Sequence, residues 1–241
     1  MLAIAGGKGG CGKTMTALGV GAALPGRPLA VDADWDLPNL HRLAAVYRDR
    51  DEDGNQRQDA RVSSCSATPA IDTEPVRIER LGGLTIVPAP ETRSECDVAD
   101  WLARIRGVEI GACGKGDGGE IDCGHVDSGQ IVVDCPAGAS PDATAPLSVA
   151  DATLLVTTPQ PAAIRDTMKT AAMARTLDAP PVGTVVCGAD SPPDGIQAAL
   201  DAPVVGCIPT ADPPVLDQSG VASAYHAVAK EVTQIRRSPD C

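Results

Sequence analysis

Gly7, Lys8, Gly9, Gly10, Cys11, Gly12, Lys13 and Thr14 follow the apolar run Leu2, Ala3, Ile4, Ala5 and lead into a helix-compatible stretch, residues 15–24. The spacing fits G-x-x-x-x-G-K-[ST] between a strand and a helix, the setting in which such a loop holds phosphate. Glycine admits positive φ and leaves bare backbone N–H groups against phosphate oxygens, while the following helix turns its positive end to the same anion. Lys13 would neutralise the terminal phosphates, and Thr14 would offer a hydroxyl to a magnesium ion.

Acids gather downstream. In Val31-Asp32-Ala33-Asp34 an apolar run ends in two carboxylates two residues apart, a spacing that on a strand faces both to one side. Like charges so close call for a cation between them, and magnesium with nearby lysines is the natural compensation. Asp36 adds a third acid, for which capping of the helix expected near Pro38 is an alternative role. Ile131-Val132-Val133-Asp134 delivers another acid at the carboxyl end of an apolar strand, where open parallel sheets bind ligands.

Those groups need a scaffold, and the pattern supplies one. Short apolar runs at residues 29–32, 84–88, 131–134, 153–158, 182–187 and 203–208 read as strands, and residues 37–47, 98–105, 161–177, 195–200 and 219–235 have helical length or spacing. The alternation predicts an α/β fold, a mainly parallel sheet with helices on both faces. Val221, Tyr225, Val228, Val232 and Ile235 fall along one helical stripe, a core-facing pattern. Residues 48–80, rich in Asp, Arg, Ser and Pro, and 107–129, rich in Gly and Asp, break the rhythm and are expected to be surface insertions in a single domain over residues 1–241.

Composition narrows the setting. The 241 residues are 43% hydrophobic but only 2% aromatic with no Phe, so the core must be built from aliphatic side chains and Ala. The net charge of −12, with only 5 Lys, is the balance expected of a salt-rich, halophilic cytoplasm and repels nucleic acid and anionic lipid. Nine cysteines form no C-x-x-C pair, so most are expected to be buried small residues in a reducing compartment. No apolar run exceeds strand length, and a cytoplasmic location is expected. Cys113, Cys123 and His125, with Asp122, fall in one insertion and are a candidate metal set whose spacing matches no established pattern.

The loop carries a second lysine, Lys8, which phosphate binding alone does not require. K-G-G-x-G-K-[ST] resembles the deviant Walker A signature of the MinD and ParA family of P-loop ATPases. The resemblance implies ATP and magnesium as ligands, with Gly7, Lys8, Gly9, Gly10, Cys11, Gly12, Lys13 and Thr14 around the phosphates. It implies that Lys8 reaches the phosphates of the partner subunit in a nucleotide-sandwich homodimer, that Asp34 positions or activates the attacking water, and that Asp32 lies near the metal. Asp134-Cys135-Pro136-Ala137-Gly138 resembles the family's Walker B acid and switch. That implies magnesium held by Asp134 together with Thr14, and a γ-phosphate sensed by the Gly138 N–H. Thr157 to Asp166 resembles the family's dimer-face segment, and Ile208-Pro209 the strand end beside adenine. Where relatives place an Asn for adenine, this sequence has Cys187.

By the same resemblance the chain is expected to be a slow ATPase whose nucleotide state sets its oligomeric state, positioning cellular machinery through a protein partner. The alternative is an ATP-dependent factor that assembles metal or iron–sulfur centres. The tail Arg236-Arg237-Ser238-Pro239-Asp240-Cys241 offers no apolar face to a bilayer, and net acidity disfavours DNA, so neither a membrane nor nucleic acid is expected as a direct partner.

Overall fold

The computed structural model describes residues 1–7, 9–48, 73, 75–90, 97–107 and 130–237. Lys8, most of 48–80, and 108–129 with Cys113, Cys123 and His125 lie outside the described residues.

Eight strands form one sheet: β1 (Leu2–Gly6), β2 (Leu29–Asp32), β3 (Val76–Ile78), β4 (Leu84–Val87), β5 (Ile131–Asp134), β6 (Ala152–Thr157), β7 (Pro181–Cys187) and β8 (Val204–Ile208). Their spatial order is β3-β4-β2-β5-β1-β6-β7-β8, parallel except for the edge strand β3. The helices are α1 (Lys13–Ala23), α2 (Leu40–Ala44), α3 (Val98–Arg106), α4 (Pro141–Val149), α5 (Pro161–Thr176), α6 (Ile196–Leu200) and α7 (Ser219–Arg237).

The strand pleat divides the core into two layers. Leu2, Ile4, Ala30, Val132, Leu154 and Val156 pack on one face with α1, α2 and α7, where the predicted stripe of α7 is buried. Met1, Ala3, Ala5, Leu29, Val31, Ile131 and Val133 pack on the other with α3, α4 and α5. Neighbours along each strand thus enter opposite layers, the pattern of a sheet covered on both sides. The central strand β1 lies between β5 and β6. From β1 the chain crosses β5 to reach β2, and from β5 it crosses β1 to reach β6, so the strand order reverses here and opens a crevice at the carboxyl ends.

Two expectations are corrected, and one helix is added. The segment 48–80 is not wholly an insertion: Val76–Ile78 pairs antiparallel with β4, and a 3-10 turn, Glu79–Leu81, buries Leu81. A three-residue strand is too short to show an alternation. The helix expected over 37–47 begins at Leu40 and tightens into a 3-10 turn, Ala45–Tyr47, because Pro38 restrains Leu37 and carboxylates take the N–H groups of Leu37 and Leu40. Helix α4 was not expected: Pro141 suits its first turn, but Pro146 inside it removes a hydrogen bond and masks the helical pattern.

Candidate nucleotide-binding site

The glycine loop leaves the end of β1 and closes on α1. Gly10 and Gly12 hold φ of 86° and 96°, a region that a Cβ disfavours. A Cβ placed on Gly9 or Gly10 would meet nothing within 4 Å among the described residues, so there the loop presents open backbone. No side chain caps α1, and its first turn holds no acid, which leaves its N–H groups for an anion. Lys13, first in the helix, is buried.

The loop is braced from below by residues outside the sequence motifs. Gly7 donates its N–H to Thr167 Oγ1 at 3.2 Å, and Thr170 Oγ1 donates to the Gly6 carbonyl at 3.3 Å. Both threonines lie on the buried face of α5. Their signal was an i, i+3 polar pair on an otherwise core-facing stripe. A Cβ on Gly6 would fall 2.0 Å from the Val156 carbonyl oxygen, and one on Gly12 would fall 2.9 Å from Cys187 Sγ. Cys187 therefore packs beneath the loop, 3.7 Å from Thr16 Oγ1, which also lies 3.4 Å from the Tyr225 hydroxyl.

Asp134 ends β5 beside β1 and is buried. The Thr14 hydroxyl lies beside its carboxylate, while Oδ1 is buried with no partner among the described residues. Burial, opposed chiefly by Thr14, pushes its carboxyl up to about 7. Asp32 is its register partner on β2, and burial lifts that carboxyl to about 6. Both Asp32 oxygens are engaged, Oδ1 by the Asp34 N–H at 3.2 Å and Oδ2 by the Leu40 N–H at 3.0 Å. Asp32 thus ties the following bend to the start of α2.

Asp34 does not share the strand with Asp32 as expected, because β2 ends at Asp32. It sits in the bend, half-buried, and its Oδ1 accepts the Leu37 N–H at 3.1 Å. Asp36 is exposed. Gly138, at φ 79° and open on its Cβ side, donates its N–H to the carbonyls of Gly6 at 3.0 Å and Gly7 at 3.1 Å. Its N–H is thus engaged by the glycine loop. Pro209 is half-buried just past β8, where the Gly188 N–H donates to the Ile208 carbonyl at 2.8 Å. Cys11 and Cys135 are buried, and burial pushes both thiols up. They are packing groups here, not reactive thiolates.

The residues present fit a hard divalent cation: a threonine hydroxyl next to a carboxylate, and a carboxylate oxygen with no partner among the described residues, are oxygen donors of the kind magnesium takes. Cradle, buried lysine and strand-end acid at the sheet's switch point define a P-loop nucleotide-binding protein. The chain belongs to the CobQ/CobB/MinD/ParA nucleotide binding domain family (CbiA), whose sequence profile matches residues 2–217.

Among relatives, the chain is 28% identical over 174 residues to the septum site-determining protein MinD of Synechocystis, covering 69% of this chain and 56% of that protein. It is 26% identical over 216 residues to an uncharacterized ATP-binding protein of Methanocaldococcus jannaschii, covering 86% of this chain and 73% of that one. The matched region thus spans little over half of the cyanobacterial protein. The fold resembles MinD of Pyrococcus horikoshii complexed with Mg-ADP, with a TM-score of 0.63 at 22% identity, covering 98% of this chain and 96% of that one. It also resembles the Aquifex aeolicus MinC:MinD complex, with a TM-score of 0.66 at 22% identity, covering 97% and 95%. No helix among the described residues is long and apolar enough to cross a membrane.

Proposed function

We propose that the chain is an ATP-binding and ATP-hydrolysing switch that dimerises when loaded and acts through a protein partner. The observation that carries this reading is the unpaired Oδ1 of Asp134 beside an open glycine loop that ends in Lys13 and Thr14. Backbone N–H groups of the loop and of the first turn of α1 bind the phosphates, and Lys13 balances their charge. Thr14 and Asp134 would hold a magnesium ion, which would supply positive charge to offset that of the phosphates. Asp32 orients the bend, and Asp34 at its start orients the attacking water.

Lys8 supplies the second cation, from the neighbouring protomer, so hydrolysis requires the dimer. Gly138 exchanges its hydrogen bonds to Gly6 and Gly7 for the γ-phosphate, and the release of that phosphate restores them. Pro209 and backbone near β8 border the base, because Cys187 faces the loop. The P. horikoshii relative with Mg-ADP and the A. aeolicus relative with MinC support nucleotide, magnesium and a protein partner as the relevant ligands. A lipid-binding role for α7 is disfavoured by the burial of its apolar stripe. The cytoplasm is the compartment in which such a switch meets ATP.

The test is Asp34→Ala, assayed for ATP binding, hydrolysis and mass in solution by light scattering, with metal analysis of the purified protein. The expected result is retained binding, lost phosphate release and an accumulated dimer. A monomer under saturating ATP and magnesium would overturn the switch, and stoichiometric iron or zinc would favour metal-centre assembly.

A further inference from the structure

The sequence has no phenylalanine and two tryptophans, and the two tryptophans meet. Trp35 and Trp101 have ring centroids 5.5 Å apart at 75°, edge to face, a favoured aromatic geometry. Trp101 is wholly buried on α3, and Trp35, half-buried in the bend after Asp34, packs into the same core layer. Both indole N–H groups are buried with no hydrogen-bond partner among the described residues. An unpaired buried donor is destabilising, so ring packing holds the pair, and a phenyl ring at position 35 would keep the contact.

The bend needs such an anchor. Residues 33–39 have no regular structure, and Asp36 and Leu37 point to solvent. Trp35 is the large side chain that ties this stretch to a rigid layer. It adjoins Asp34, whose carboxylate accepts one hydrogen bond among the described residues, from the Leu37 N–H. On the far side α3 packs against α4, which begins three residues after Gly138. The ring pair therefore links the bend that carries Asp34 to the layer that carries the Gly138 loop.

We infer that Trp35 is a positioning residue: seated edge to face on Trp101, it holds Asp34 at the phosphate cradle and follows the bend when nucleotide moves it. This rests on the role of Asp34 proposed above. The test compares Trp35→Phe and Trp35→Ala in steady-state hydrolysis. It also follows the emission of Trp35 in Trp101→Phe, where it is the only tryptophan, as Mg-AMPPNP is added.

The Phe variant should keep kcat within about twofold, while the Ala variant should lose about tenfold or more in kcat with KM within about threefold, the signature of a displaced group rather than lost binding. Emission should shift at the nucleotide concentration that saturates binding. Should the Ala variant fail to fold, Trp35→Leu replaces it with the same expectation. Unchanged kcat in the Ala variant, an equal loss in the Phe variant, a loss confined to KM, or a silent emission would each overturn the inference. A wild type that binds nucleotide but never hydrolyses it defeats the proposed function instead, and the emission still decides the role of Trp35.

Discussion

Asp32 and Asp134 are register partners at the carboxyl ends of the adjacent parallel strands β2 and β5, both buried. Burial raises them to about 6 and about 7, from 3.8 when unfolded. From about pH 4 to 7 the folded chain therefore binds more protons than the unfolded one. The stabilisation is fully present below about pH 4 and is lost as pH rises through 6 and 7. In EDTA, the wild type relative to Asp134→Asn should lose on the order of 2 kcal/mol of stability between about pH 5 and 7.5. Denaturant melts at both pH values check this; parallel curves for the two proteins would refute it.

Gly12→Ala should bind nucleotide at least about tenfold more weakly and lose about 1 kcal/mol or more of stability. Its φ of 96° disfavours a side chain, and the new methyl would press on Cys187 Sγ at 2.9 Å. Adding Cys187→Ala relieves the contact but not the backbone strain, so the double variant should recover part of the stability and little of the binding. Full recovery of binding, measured by calorimetry, would mean that crowding and not backbone conformation shapes the loop.

Much of this was legible in the chain. The loop announces itself because glycine, lysine and threonine at fixed spacing suit one backbone shape, and strands β1, β2 and β5 are apolar runs with an acid at the end of two of them. What escaped was tertiary. The spacing of Asp32 and Asp34 suits one strand, but the strand stops where Asp32 begins to accept N–H groups from the bend. Nothing local marks Thr167 as a brace for Gly7, since its partner lies 160 residues away. The edge strand β3 is visible only as a pairing with β4, and the meeting of Trp35 with Trp101 only once α3 is laid on the sheet.

The brace itself can be tested. Thr167 Oγ1 accepts the Gly7 N–H at 3.2 Å and donates to the Ala163 carbonyl at 2.9 Å. Thr167→Val keeps the shape and removes both bonds, leaving a buried donor unpaired at a cost of about 1–3 kcal/mol. Chemical melts should show that loss, with a severalfold weaker affinity for ATP as the loop slackens. Unaltered stability would mean that Gly7 finds another acceptor.

Thr14 joins the cradle to the strand-end acid, and its loss should separate magnesium from phosphate. The hydroxyl lies beside the Asp134 carboxylate, and the two are the protein oxygens proposed above to hold the cation. Thr14→Ala leaves the loop backbone and Lys13 intact, so the phosphates keep their N–H donors. Binding of ATP in EDTA should therefore change less than about threefold, whereas the gain in affinity on adding magnesium should fall by about tenfold or more, the range seen when a metal's supporting groups are removed. Thr14→Ser, which retains the hydroxyl, should restore that gain. Calorimetric titrations of ATP with and without magnesium check the difference, and an equal loss under both conditions would assign Thr14 to the phosphates instead of the metal.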